Sequence, residues 1–308
     1  MARAPRFGIC TDQNMSWEET VSRWRRYEEL GYDSVWDCDH MVQPSRPDGP
    51  YFEGWTLLAA LAVRTERIRI GVLVTCNTFR HPSVLAKQAV TVDHISGGRL
   101  EVGLGAGWYE PEHERFGIPF PETGELVGRF RESVEVLDRL LSQDVSSYEG
   151  RYYQLREAPS RPATVQRPRP PFTLGAFGPR MLRIVARHAE TWNAFGTTDE
   201  MLERNRMLDA YCAELGRDPD TLNRSIYYWK VGDAIDPWES PEAFEAMARS
   251  YMAVGINQFV VDQPDTERLE MAARVASEVL PRLRRETVTT PEGGGEAGAV
   301  WHRPADYI

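Results

Sequence analysis

An aspartate and a histidine stand side by side at positions 39 and 40, in the run Asp37-Cys38-Asp39-His40 that closes the short apolar stretch Ser34-Val35-Trp36. An imidazole titrates near neutrality, so His40 is suited to delivering or accepting a proton. Asp39 is suited to accepting a hydrogen bond from a ring N–H or a hydroxyl of a bound ligand. Similar chemistry recurs after other apolar stretches: Cys10-Thr11-Asp12, Thr75-Cys76-Asn77, and Gly105-Ala106-Gly107-Trp108 followed by Tyr109, Glu110 and His113. Cys10, Cys38 and Cys76 suggest a three-thiolate metal site at first sight. Cys38 is out of phase with Asp37 and Asp39, however, and faces the other side of an extended strand. Cys10 and Cys76 are better read as small pocket-wall residues, and no metal is expected. Gly175-Ala176-Phe177-Gly178-Pro179-Arg180 opens a helical run. Its glycines let backbone approach a ligand, the helix start favours an anion, and Arg180 adds a full charge, so the segment reads as a phosphate seat.

The elements that must position these groups alternate along the chain. Strands are expected at Phe7 to Cys10, Ser34 to Trp36, Arg69 to Val74, Leu100 to Leu104, Phe172 to Leu174, Thr191 to Ala194, Ser225 to Val231 and Gln258 to Val261. Helical periodicity separates them, as at Val127, Phe130, Val134, Leu137 and Leu141. Ser16 to Glu19 has the pattern of a capping box, and Pro82 opens a helix that runs to Ile95. Aromatic-rich Tyr148 to Leu155 reads as an inserted hairpin. Eight strand–helix units in strict order imply a parallel sheet, closed as a (β/α)8 TIM barrel: a single α/β domain over residues 1–285 with inserted segments in βα loops. In such a barrel function collects at the C-terminal strand ends, where the groups above fall. Residues 286–308, with three consecutive glycines at Gly293 to Gly295, read as a flexible C-terminal tail ending near Trp301-His302-Arg303.

Composition narrows the partners. The chain of 308 residues carries a net charge of -10, which disfavours nucleic acid and anionic membrane. Four dispersed cysteines give no disulfide framework. No apolar leader opens the chain and no window is long enough to span a bilayer, so the expected location is the reducing cytoplasm.

The block Arg67 to Gly117, RIRIGVLVTCNTFRHPSVLAKQAVTVDHISGGRLEVGLGAGWYEPEHERFG, together with FGICTDQ, ELGYDSVWDCDHM and LGAFGPRMLRIVARHAETWN, resembles the luciferase-like flavin and deazaflavin oxidoreductases. The resemblance implies a homodimeric (β/α)8 barrel that holds its cofactor in the barrel mouth. The pattern around SVWDCDHM and GWYEPEHERFG is most similar to the branches that use the deazaflavin coenzyme F420, with FMN as the alternative. It implies His40 and Asp39 as the catalytic pair. It also implies Asp39, Leu73, Val74, Cys76, Gly107 and Trp108 against the cofactor ring, with a non-prolyl cis peptide at Leu73-Val74. Gly175, Ala176, Phe177, Gly178 and Arg180 would hold its phosphate, and Cys10, Trp108, Tyr109, Glu110 and His113 would line the substrate pocket. Hydride would pass between the deazaflavin and a small organic substrate while His40 handles the proton. The alternatives are a two-component monooxygenase that takes FMNH2 from a separate flavin reductase and uses O2, and a non-catalytic flavin-binding barrel. One departure bears on the substrate. The sugar-phosphate dehydrogenase branch has a carboxylate directly after the glycine matching Gly107, where this chain has Trp108.

Overall fold

A computed structural model describes residues 3–289. In chain order the elements are β1 (Arg6–Cys10), α1 (Trp17–Glu29), β2 (Ser34–Asp37), α2 (Gly54–Ala62), β3 (Arg69–Val72), β4 (Thr75–Cys76), α3 (Pro82–Ser96), β5 (Leu100–Gly105), α4 (Glu110–Phe116) and α5 (Thr123–Ser142). There follow β6 (Val145–Glu149), β7 (Gln154–Pro159), β8 (Phe172–Gly175), α6 (Pro179–His188), β9 (Thr191–Ala194) and α7 (Thr198–Glu214). The last are β10 (Asn223–Tyr228), α8 (Pro241–Met252), β11 (Gln258–Asp262), α9 (Leu269–Glu278) and α10 (Leu280–Leu283). Apart from β6 and β7, which pair as the expected antiparallel hairpin, the strands pair in parallel. Strand followed by helix is the order of the (β/α)8 fold.

Two compact units divide the chain, one made of residues 3–11, 25–35 and 176–289, the other of 12–24 and 36–175. In the first, β1 pairs with β11, β11 with β10, and β10 with β9. These strands are buried almost throughout, as parallel strands covered on both faces must be. Phe7 stacks on Phe259 with ring centroids 5.2 Å apart and meets Phe244 of α8 at 6.0 Å. A Cβ at Gly8 would stand 2.9 Å from the Ser34 carbonyl oxygen, a backbone atom with no rotamer to escape to. Cys10 ends β1 buried, opposite Asp262, and its carbonyl accepts the N–H of Gln263. The segment expected to begin a tail at residue 286 is still tied down at its start. Glu286 pairs with Arg249, and Val288 is buried and bridges to Arg3. The rest of that expected tail, residues 290–308, lies outside the described residues.

In the second unit β5 is the centre, pairing with β3, β4 and β8. The single strand expected over Arg69 to Val74 is interrupted. It ends at Val72, the Leu73-Val74 peptide is cis, and pairing with β5 resumes at Thr75. Two glycines make room for the displaced Val74. A Cβ at Gly105 would lie 2.6 Å from Val74 Cγ2, and one at Gly175 would lie 3.2 Å from it. Ser16 Oγ accepts the N–H of Glu19 as expected, but the Glu19 carboxylate bonds Arg23. On α5 the buried Glu132 carboxylate accepts three N–H bonds, from Arg151, Tyr152 and Tyr153, and so anchors the hairpin. Among the described residues no helix is long and apolar enough to cross a membrane.

Candidate active site

The second unit brings together the ends of β2, β4 and β5 with the short helix α4. The end of β2 is fixed by Gln13, which is fully buried. Its amide donates to the carbonyls of Cys38 and Phe52 at 2.8 Å each, and its own oxygen accepts the Cys38 N–H at 2.8 Å. With Cys38 held on both sides, Asp39 and His40 leave the strand in set directions.

Asp39 and His40 do not pair with each other. Asp39 Oδ2 accepts the N–H of Cys76 at 2.7 Å, and both of its oxygens receive the Arg80 guanidinium, with Nη2 to Oδ1 at 2.8 Å. Arg80 also reaches Glu53 at 3.2 Å, the residue that caps α2. Asp39 thus joins β2, β4 and the approach to α3 through one bidentate ion pair. His40 turns to Glu112 instead. Its Nδ1 lies 2.8 Å from Glu112 Oε1, and Glu112 Oε2 accepts the N–H of Met41 at 2.9 Å. Among the described residues His40 Nε2 has no hydrogen-bond partner. The ring is 17% exposed, with the indole of Trp108 edge-on at 5.7 Å and the phenol of Tyr109 at 6.3 Å. Trp108 itself is 56% exposed.

The expected pocket residues divide between two environments. Glu110 is exposed, whereas Glu112 and His113, one helical turn after Tyr109, are buried. Cys76, Thr78 and His113 form a directed chain. His113 Nδ1 donates to the Tyr109 carbonyl at 2.8 Å, so in the neutral ring Nε2 accepts the Thr78 hydroxyl at 2.6 Å. Thr78 Oγ1 then accepts the Cys76 thiol at 3.0 Å. Burial pushes that thiol up to about 12, which leaves it a pocket-wall thiol rather than a nucleophile. Gly107, at φ +96°, lies over the chain: a Cβ would stand 3.1 Å from Thr78 Oγ1 and 3.2 Å from Cys76 Sγ. Among the described residues no group of three His, Cys, Asp or Glu side chains gathers to hold a metal. The phosphate-seat segment runs from the end of β8 into α6, where Gly178 is the N-cap and no side chain caps the helix. Arg180 is exposed there.

Sequence reasoning missed Glu112, Gln13, Arg80 and Asp37. A signal existed for Glu112, which lies three residues after buried Tyr109 and therefore on the same helical face. Asp37 is wholly buried, and among the described residues neither carboxylate oxygen has a partner. Burial, and then the neighbouring Cys38, Asp39 and Glu53, push its carboxyl well above the usual range, so the fold holds it as a neutral acid. The unfolded chain releases that proton at about pH 4. Stability is therefore lost as pH rises from there toward the folded value. Asp37→Asn should melt at a higher temperature than the parent at neutral pH, with the difference closing near pH 4. A difference independent of pH would contradict this.

Comparison with known proteins agrees with this architecture. An F420-dependent glucose-6-phosphate dehydrogenase of Microbacterium testaceum is 28% identical, over 84% of this chain and 91% of the relative. An F420-dependent secondary alcohol dehydrogenase, solved with an F420-acetone adduct, superposes with a TM-score of 0.80 at 18% identity, covering 91% of this chain and 99% of that one. The coenzyme F420 dependent tetrahydromethanopterin reductase from Methanopyrus kandleri gives 0.78 at 20% identity, over 92% of this chain and 100% of that one. At such identities the two structures establish the fold, which is the (β/α)8 barrel. The family model for luciferase-like monooxygenases matches residues 4–305, and the chain belongs to that family.

Proposed function

We propose that this protein is an oxidoreductase that uses coenzyme F420 to act on a small organic substrate, with His40 as its proton carrier. The observation that carries the reading is His40 itself. It is a partly exposed imidazole at the end of β2, with one nitrogen held by a buried carboxylate, the other without a partner among the described residues, and an outward indole beside it.

The residues fit a deazaflavin. Asn77 is buried at the end of β4 with neither amide atom partnered among the described residues, a spare donor and a spare acceptor of the kind a pyrimidine ring edge would match. Val74, Cys76, Gly107 and Trp108 would hold the ring. By itself, the uncapped start of α6 in the first unit, with Gly178 and exposed Arg180, suits an anion. When bound, the deazaflavin supplies a carbon centre that takes up or gives a hydride. Asp39 binds Arg80 and the Cys76 amide, so its part is to hold these strand ends in place. His40 takes or gives the accompanying proton at Nε2. A sugar phosphate is a poor match, since exposed Trp108 stands in the place of that branch's carboxylate and Glu110 faces solvent. An apolar or ring-bearing substrate fits the aromatic surroundings better. The family reading gives a homodimer, and the dispersed free cysteines suit the reducing cytoplasm.

Titration of the purified protein with F420 and with FMN, followed by fluorescence, tests the cofactor. Saturable binding of F420, and its reduction by an apolar alcohol in preference to glucose 6-phosphate, is the expected result. Tight binding of FMN without F420, and oxygen consumption once a flavin reductase is added, would overturn the proposal.

A further inference from the structure

We infer that Glu112 is the positioning residue for His40: its carboxylate decides which ring nitrogen carries the hydrogen and leaves Nε2 as the proton acceptor. The inference builds on the reading of His40 as proton carrier, but its principal test needs neither cofactor nor substrate.

A carboxylate can only accept hydrogen bonds, and one that is 1% exposed must find its donors within the protein. Glu112 finds two, on adjacent residues. Oε2 takes the backbone N–H of Met41 at 2.9 Å, and Oε1 faces His40 Nδ1 at 2.8 Å. The neutral ring is thereby held in the Nδ1–H form, with the Nε2 lone pair directed away from Glu112. When a substrate O–H bond breaks and its proton moves to Nε2, the ring becomes an imidazolium whose Nδ1–H already lies on a carboxylate. The proton leaves later to solvent from the same atom. Asp39 cannot do this, because its two oxygens serve Arg80 and the Cys76 amide. Glu110 cannot do it either, being exposed on α4. Because one carboxylate holds His40 and Met41 together, it also fixes the ring relative to the backbone that follows it.

The isosteric change Glu112→Gln gives a sharp consequence. A backbone N–H has no second form, so the glutamine oxygen must stay on Met41 to keep that amide satisfied. Its NH2 group then faces His40 Nδ1, which can relieve the donor–donor clash only by becoming an acceptor. The hydrogen moves to Nε2, and His40 can no longer take a proton there.

Nitrogen chemical shifts of isotope-labelled histidine, in mildly alkaline buffer and without cofactor, read the tautomer directly. The signal is assigned by its loss in His40→Gln. The parent and Glu112→Asp are expected to show a protonated Nδ1 and a bare Nε2, and Glu112→Gln the reverse. A parent ring protonated at Nε2, or the same pattern in Glu112→Gln, would overturn the inference, whichever cofactor the protein uses. With substrate in hand, Glu112→Gln should lower kcat by about 10²-fold with little change in KM, and Glu112→Asp should recover part of the loss. A reversed tautomer with undiminished kcat would overturn the positioning role.

Discussion

Replacing His40 with alanine is expected to lower turnover by about 10²–10⁴-fold, the range over which a positioned acid or base contributes to a proton-coupled step. Binding of F420 and the KM for substrate should change little, because the ring offers one nitrogen to ligands and spends the other on Glu112. The substitution also removes one of the two donors on buried Glu112 and leaves Met41 N–H as the other. Some thermal stability is lost with it, so His40→Gln, which keeps an amide donor in the space, separates chemistry from folding. Both variants should be comparably slow, and free imidazole in the assay should restore part of the alanine variant's activity. Turnover within a few-fold of the parent would assign the proton to another group. Full F420 binding with no turnover in the parent, for any alcohol or carbonyl substrate, would favour a non-catalytic barrel.

The order of strands and helices was legible because each signal is local. Burial on both faces gives the short apolar runs, Pro82 and the left-handed Gly97 bracket α3, and Thr191 to Ala194 is a strand as expected. The Leu73-Val74 cis peptide came from the resemblance and is present in the structure. Periodicity alone would have run one strand through it, since Val72, Leu73 and Val74 are all apolar. The last helical run is broken into α9 and α10, where Pro281 cannot donate to the helical ladder. The site was legible by position and not by partnership. His40, Asp39, Cys76 and Gly107 are legible as strand-end residues, but their partners are not. The true partners are 72 residues away for His40 and 41 for Asp39, distances at which only the closed fold decides what meets. Gln13 and Asp37 carry no sequence signature for the same reason. A buried amide or acid is defined by what surrounds it.

Removing the Arg80 guanidinium should destabilise the protein strongly. Asp39 is 2% exposed in its side chain and Arg80 11%, so Arg80→Leu leaves a carboxylate buried without its counter-charge. Breaking a buried pair from one side typically costs about 3–5 kcal/mol. Asp39→Leu is not the mirror experiment, because Asp39 also accepts the Cys76 N–H, and orphaning that amide adds about 1–3 kcal/mol. Asp39→Asn separates the two effects. Its carbonyl can keep the Cys76 amide while the charge is removed, so the double variant Asp39→Asn/Arg80→Leu should be more stable than Arg80→Leu alone. Thermal and urea melts of the parent, Arg80→Leu, Asp39→Asn and the double variant give the comparison. A double variant no more stable than Arg80→Leu would mean that the buried charge is not what makes the loss large. The order also bears on activity, because the same pair ties the Cys76 end of β4 to the residue next to His40. The double variant should recover folding before it recovers turnover, since leucine restores none of the bidentate geometry that sets the direction of the β2 end.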